Sequence, residues 1–238
     1  MKIKTTARLK KTFMLTAVVI LLLVALYRGF FYADHLSEVH AVQHYRNATR
    51  LTAADMQKLQ EGDFILRRGF GFFSDYVASD LNTGPIDVTH AGILVKRNNH
   101  WQVIHSLSSD VSEIDGVQMQ PLDTFLKYSA PDKIIITRTK NCDTALGCKI
   151  GLLADAYLAK GIPFDHKGTI DDDHELFCTE LIWKILEKDL HHVQLPQGHE
   201  AREKFFYTMM PMYNIQYFDI IINQYEKKNA ALHTQNVQ

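Results

Sequence analysis

The chain has 238 residues, 46% hydrophobic and 22% charged, and residues 33–238 are one domain by length, long enough for a sizeable core. Six of its 26 basic residues lie before residue 33 and none of its 27 acidic ones does, so the remainder carries 20 basic against 27 acidic, a charge of −7. That balance argues against nucleic acid or an anionic bilayer surface as the main partner of the remainder.

Lys2, Lys4, Arg8, Lys10 and Lys11 precede an uninterrupted apolar run from Phe13 to Leu26, and the apolar character continues to Tyr32. About 20 apolar residues cross a bilayer. Residues 12–32 meet that length if Arg28 snorkels beside the interfacial aromatics. No small-residue cleavage site follows Leu26, so the segment reads as an uncleaved signal anchor, with a removed signal peptide as the alternative; in both readings the positive end stays in the cytoplasm and the rest is exported. The expected organisation is a basic tail and transmembrane helix over 1–32, a helical stalk over 33–60, a catalytic domain over 61–228 and a polar tail over 229–238.

In the stalk, Ala33 to Tyr45 and Thr52 to Leu59 have helical patterning, with Thr52 as N-cap. Glu61-Gly62-Asp63 turns into a strand, Phe64 to Arg67, and Phe72 to Ala78 reads as a short helix. A hairpin follows: Thr89 to Lys96 and Trp101 to Ser106 flank Asn98-Asn99, a pair tolerant of positive φ. Val117 to Met119 reads as a short strand and Leu122 to Tyr128 as a short helix. Lys133 to Arg138 is a β-branched strand and Thr144 to Leu158 a helix closed by Gly161 and Pro163. After an acidic loop, Phe164 to His174, a helix runs from Cys178 to about Leu190, another covers Glu200 to Tyr207, and Ile215 to Tyr225 suits strand or helix. A small sheet with helices before and after it makes the fold class α+β.

Cys178 carries the strongest chemical signal. A thiol at a helix start sits near unpaired N–H groups and the positive end of the helix dipole, both of which favour thiolate, the nucleophilic form. A lone cysteine on an apolar helix is, however, more often a small core residue. Cysteine arithmetic adds to the catalytic reading. Cys142 and Cys148 flank a helix start and are candidates for a small disulfide, which would leave Cys178 as the odd thiol; three reduced, buried cysteines are the alternative.

The hairpin supplies its candidate partners. A two-residue loop at Asn98-Asn99 pairs Arg97 with His100 and places His105 opposite Gly92. His90 and His105 then lie on one face as diagonal neighbours, about 7–8 Å apart at the backbone, within reach of an imidazole–imidazole hydrogen bond. A three-residue loop would put them on opposite faces.

Four local patterns converge on one family. Gly62-Asp63-Phe64-Ile65-Leu66-Arg67-Arg68-Gly69 resembles the opening strand of the circularly permuted NlpC-type papain-like hydrolases, in particular the YiiX-like proteins. Thr89-His90-Ala91-Gly92-Ile93 is similar to the histidine strand of that family. Gly161-Ile162-Pro163-Phe164-Asp165 resembles the run before its nucleophile, and Phe177-Cys178-Thr179-Glu180-Leu181-Ile182 its nucleophile segment. Lecithin retinol acyltransferase is a more distant likeness with the same residue order.

The resemblance spans roughly residues 60–190. It implies a permuted papain-like fold, a small antiparallel sheet packed on helices, with Cys178 as nucleophile and His90 as general base and acid. Many YiiX-like proteins carry Glu where this chain has His105, which instead resembles the acyltransferase branch, so His105 is the least firmly assigned of the three. The implied activity is a membrane-anchored, exported cysteine hydrolase cleaving an amide or ester of a peptide, lipid or other small molecule through a thioester acyl-enzyme. An acyltransferase on the same Cys-His-His site and a non-catalytic tethered binding module are the alternatives. No cofactor or metal is expected: there is no His-Glu-x-x-His or Cys-x-x-Cys spacing, and a metal reading would have to draw on His90, His105, His166, His174 or Asp171 to Asp173. The expected location is a bacterial inner membrane, crossed once, with the domain on the periplasmic side.

Overall fold

A computed structural model describes residues 2–82, 84–170 and 172–226, so Asp171 and the polar tail 229–238 lie outside the described residues. Helix α1 covers Lys2–His44 without a break, so the apolar segment and the first half of the expected stalk form one rod. From Leu9 onward it is long and apolar enough to cross a membrane, and its apolar part is unburied. Residues at the end of the apolar segment touch the folded domain: the Tyr27 hydroxyl donates to Asp110, and Phe31 packs on Phe73 at 5.8 Å between ring centres. The second half of the stalk shrinks to α2, Ala53–Met56, capped reciprocally by Thr52 and Asp55.

The domain is built on a six-stranded antiparallel sheet. Its strands are β1 (Phe64–Arg67), β2 (His90–Arg97), β3 (His100–Leu107), β4 (Gly116–Pro121), β5 (Ile134–Thr139) and β6 (Phe218–Asn223). The spatial order is β4-β3-β2-β1-β5-β6. The last apolar stretch is therefore a strand rather than a helix, completing the sheet beside β5.

Period-two alternation divides the sheet into two packed faces. Phe64, Leu66, Ala91, Ile93, Val95, Ile104 and Ile135 face one core with helices α5 (Thr144–Lys160) and α6 (Cys178–Trp183). Ile65, Leu94, Val103, Ile134 and Ile136 face the other, closed by Leu122 and Phe125 of α4 (Leu122–Lys127). Helix α3 (Gly71–Tyr76) lies against α1, and α7 (His199–Tyr207) against α6. Helices α3 and α6 each continue into a wider π turn, Val77–Leu81 and Lys184–Asp189, which shortens the α-helical part of the expected Cys178 helix.

Two glycines fix how the pieces meet. Gly71 has φ +88°, and a Cβ there would meet the Asp34 carboxylate of α1 at 2.4 Å. Gly116 has φ +85°, and a Cβ would meet the Ile162 carbonyl oxygen at 2.0 Å. Only glycine allows these approaches at positive φ.

Candidate active site

The hairpin has the expected register. Arg97 faces His100, Ile93 faces Ile104, and both loop residues have positive φ, 50° at Asn98 and 64° at Asn99. His105 packs against Gly92, whose missing side chain leaves room for it: a Cβ there would meet the His105 Cβ at 3.2 Å. His90 Nε2 and His105 Nδ1 are 2.9 Å apart. Phe125 of α4 backs both rings, 5.7 Å from His90 and 5.6 Å from His105. His90 is 6% exposed and His105 fully buried.

Cys178 is brought to this pair by ties on the segment before it. The Gly161–Asp165 run is fastened to β4 by Val117 N–H donating to Ile162 O at 2.8 Å. Leu176 N–H donates to Pro163 O at 2.9 Å, and the Ser106 hydroxyl of β3 donates to Leu176 O. Beyond the nucleophile, the Thr179 hydroxyl donates to Phe206 O of α7. The acidic loop is folded around Asp165, which accepts from the N–H groups of Lys167, Gly168 and Thr169. These ties place Cys178 in one cleft of about 510 Å³ with His90, a volume ordinary for a small-molecule site. The backbone N–H groups of Ala91, the residue after His90, of Thr179 and of Cys178 itself lie close enough to favour the thiolate form of Cys178.

The electrostatics differ from the simple helix-dipole expectation. Burial pushes the Cys178 thiol above its usual range, outweighing those three N–H groups and the nearby Arg67 charge. Burial, then His105, then Arg67 hold His90 well below the usual imidazole range, and burial with Arg67 takes His105 down to about 3. Burial thus works against a preformed thiolate–imidazolium pair in this site.

Two further residues belong to the site and were not singled out by sequence. Gln120 of β4 lies 2.9 Å from His105 Nε2 through its side-chain amide nitrogen, extending the relay to Gln120–His105–His90. Its orientation decides the tautomers. An amide N–H toward His105 makes His90 accept at Nε2 and keep its proton on Nδ1. An amide carbonyl toward His105, reached by turning the amide over, reverses every bond and leaves the His90 Nδ1 lone pair free as a base.

Arg67 lies directly opposite His90 in the β1–β2 pairing. It is 7% exposed, lines the cleft, and lies over the Phe125 ring at 4.8 Å. Only the run of β1 was visible in sequence; what Arg67 faces depends on pairing with a strand more than 20 residues away.

The other sequence candidates separate. His166 lines the cleft rim, while His174 lines a different depression, and among the described residues no three His, Cys, Asp or Glu side chains converge as metal ligands. Cys142 and Cys148 are free thiols: Cys142 packs toward the core, and Cys148, on the helix that Asp143 starts, is exposed.

No functionally curated protein matches the chain. Among solved structures, the crystal structure of the metalloprotein yiiX from Escherichia coli O157:H7 is 23% identical, with a TM-score of 0.47, covering 56% of this chain and 68% of that one. The model of the permuted papain-like amidase enzymes, the YaeF/YiiX or C92 family, matches residues 58–208. The chain with the paired histidines on its sheet and Cys178 at a helix start is a member of that permuted papain-like amidase family.

Proposed function

We propose that the protein is a membrane-anchored, exported cysteine hydrolase that cleaves an amide or ester through a thioester on Cys178. The observation that carries this reading is the cleft that Cys178 shares with His90, itself held by His105. His90 takes the thiol proton as sulfur attacks the carbonyl carbon, forming the C–S bond. The tetrahedral oxyanion is met by the Cys178 N–H at the helix start. On collapse the C–N or C–O bond breaks, and the imidazolium returns its proton to the leaving amine or alcohol. Water, deprotonated by His90, then releases the acid and restores the thiol.

Because burial disfavours charge on both partners, proton transfer accompanies attack rather than preceding it. With the Gln120 amide turned over so that its carbonyl accepts from His105, the two residues hold the productive His90 tautomer. The apolar segment of α1 supports membrane anchoring, and the basic residues before it support a cytoplasmic N-terminus with the domain on the periplasmic side.

The test is activity-based labelling of the full chain in bilayer discs, followed by mass analysis of the acyl group held on cysteine. A thioester on Cys178 that water discharges is expected. Labelling or turnover that survives Cys178→Ala sinks the reading, and discharge onto an added amine or alcohol rather than water replaces hydrolysis with acyl transfer.

A further inference from the structure

Arg67 is an expensive residue in an unusual state. A guanidinium withdrawn from water destabilises the fold unless its charge and its five N–H donors are satisfied. Here Nη1 donates to the Tyr128 carbonyl and Phe125 lies beneath the cation, but Nε is buried with no partner. Among the described residues Arg67 makes no ion pair; Glu38 of α1 is the carboxylate whose field it feels most, and it stands beyond ion-pair distance. Burial lowers Arg67 only to about 10, so it is cationic at neutral pH. Around it the cleft is mainly apolar, with Phe70, Phe73, Val77, Leu81, Val111 and Met209 on its walls.

We propose that Arg67 is an anion-binding residue of the substrate site, and that the cleft takes an amphiphile with a carboxylate or phosphate close to the scissile bond and an apolar chain along the aromatic wall. The inference rests on Cys178 and His90 being the reacting groups of this cleft. A substrate oxyanion would complete the unpaired donors of Arg67 with charge-assisted hydrogen bonds, which are stronger than neutral ones. It would also fix the bond to be broken at the strand position facing His90. Lysine would keep the charge but lose the planar fork.

Calorimetric titration of the full chain in bilayer discs tests this, with empty discs as the baseline and Cys178→Ala as the background so that no turnover intervenes. The probes are N-octanoylglycine, octyl phosphate and the uncharged N-methylamide of N-octanoylglycine. At least one of the two anions is expected to bind about tenfold or more tightly than the amide. Arg67→Gln is expected to erase that preference and Arg67→Lys to retain part of it. Which anion binds better decides between carboxylate and phosphate. Equal binding of anion and amide, a preference that survives Arg67→Gln, or no binding of any probe overturns the proposal. The contrast between anion and amide needs no folded Arg67 variant. Thioester trapping on Cys178 is measured separately, so loss of the anion preference leaves the catalytic reading standing.

Discussion

Helices α5 and α6 both begin against the sheet, yet their N-termini are finished differently. At α5, Asp143 accepts from the Leu146 N–H at 2.8 Å, and the helix ends on Gly161 in the left-handed region. At α6, Phe177 takes the capping position with no accepting side chain, and only the return half of a capping box is present, Glu180 accepting from the Phe177 N–H at 3.3 Å. The first helical N–H groups are the orphan donors of any helix. In α5 a side chain takes one of them. In α6 no side chain takes those of Cys178 and Thr179, and both favour negative charge on the Cys178 sulfur. A closed helix start contributes stability; an open one keeps donors for charge that develops only during reaction.

The largest expected break in this contrast comes at the nucleophile's partner. His90→Gln should lower turnover by about 10²–10⁴-fold with the fold intact, the span usual for losing a general base. A smaller loss would mean that Cys178 acts without it, as followed by steady-state kinetics and circular dichroism. Next, Gln120→Leu should cost roughly 10–100-fold, by analogy with the partners that orient metal-bound imidazoles. Gln120→Glu, which can only accept from His105, should retain turnover and move the histidine limb of the pH–rate profile upward. An unmoved profile would remove Gln120 from the relay.

The thiol itself offers a pH test. Since burial raises Cys178, alkylation of the free enzyme by iodoacetamide should keep rising as pH passes the ordinary thiol range near 9.0. Saturation near neutral pH would restore the preformed ion pair.

Glu180, in the half-finished cap, is pushed by burial up to about 8. An acid raised on folding holds a proton that the unfolded chain has released, so stability falls as pH climbs from about 4.5 to 8. Glu180→Gln keeps the acceptor for Phe177 and should flatten that fall in melting temperature, worth on the order of 5 kcal/mol at the alkaline end. Lys184 would still be held by Asp173. Smallest is Asp143→Ala at the closed start: about 1 kcal/mol of stability in urea titration, with turnover unchanged.

Much of this site could be read in the chain before its fold was known. The histidine pairing followed from two adjacent asparagines, because a two-residue hairpin loop fixes register and register fixes face. Cys178 was conspicuous because its helix start was marked by an apolar period after a polar loop. What sequence could not show depends on burial and on contacts between distant strands. The helix-start rule pointed to a thiolate, and the surrounding cover reversed the sign. Gln120 and Arg67 look like ordinary strand residues until β4 is laid beside β3 and β1 beside β2. The expected stalk boundary at residue 32 was drawn from composition, whereas backbone hydrogen bonding runs through it as one helix.

That unbroken helix sets a height. Asp34 accepts from the Phe73 N–H at 2.9 Å on the rim of the cleft, and Tyr45 stacks on Phe70 further along. From Tyr32, the end of the segment expected to span the bilayer, to Asp34 is only about 3 Å of helix. Under the proposed anchoring, the cleft mouth is a fixed step above the bilayer rather than a swinging one. Its encounters with an amphiphile are then two-dimensional. The rate should follow the mole fraction of substrate in the surface and fall as inert lipid dilutes that surface at constant bulk concentration.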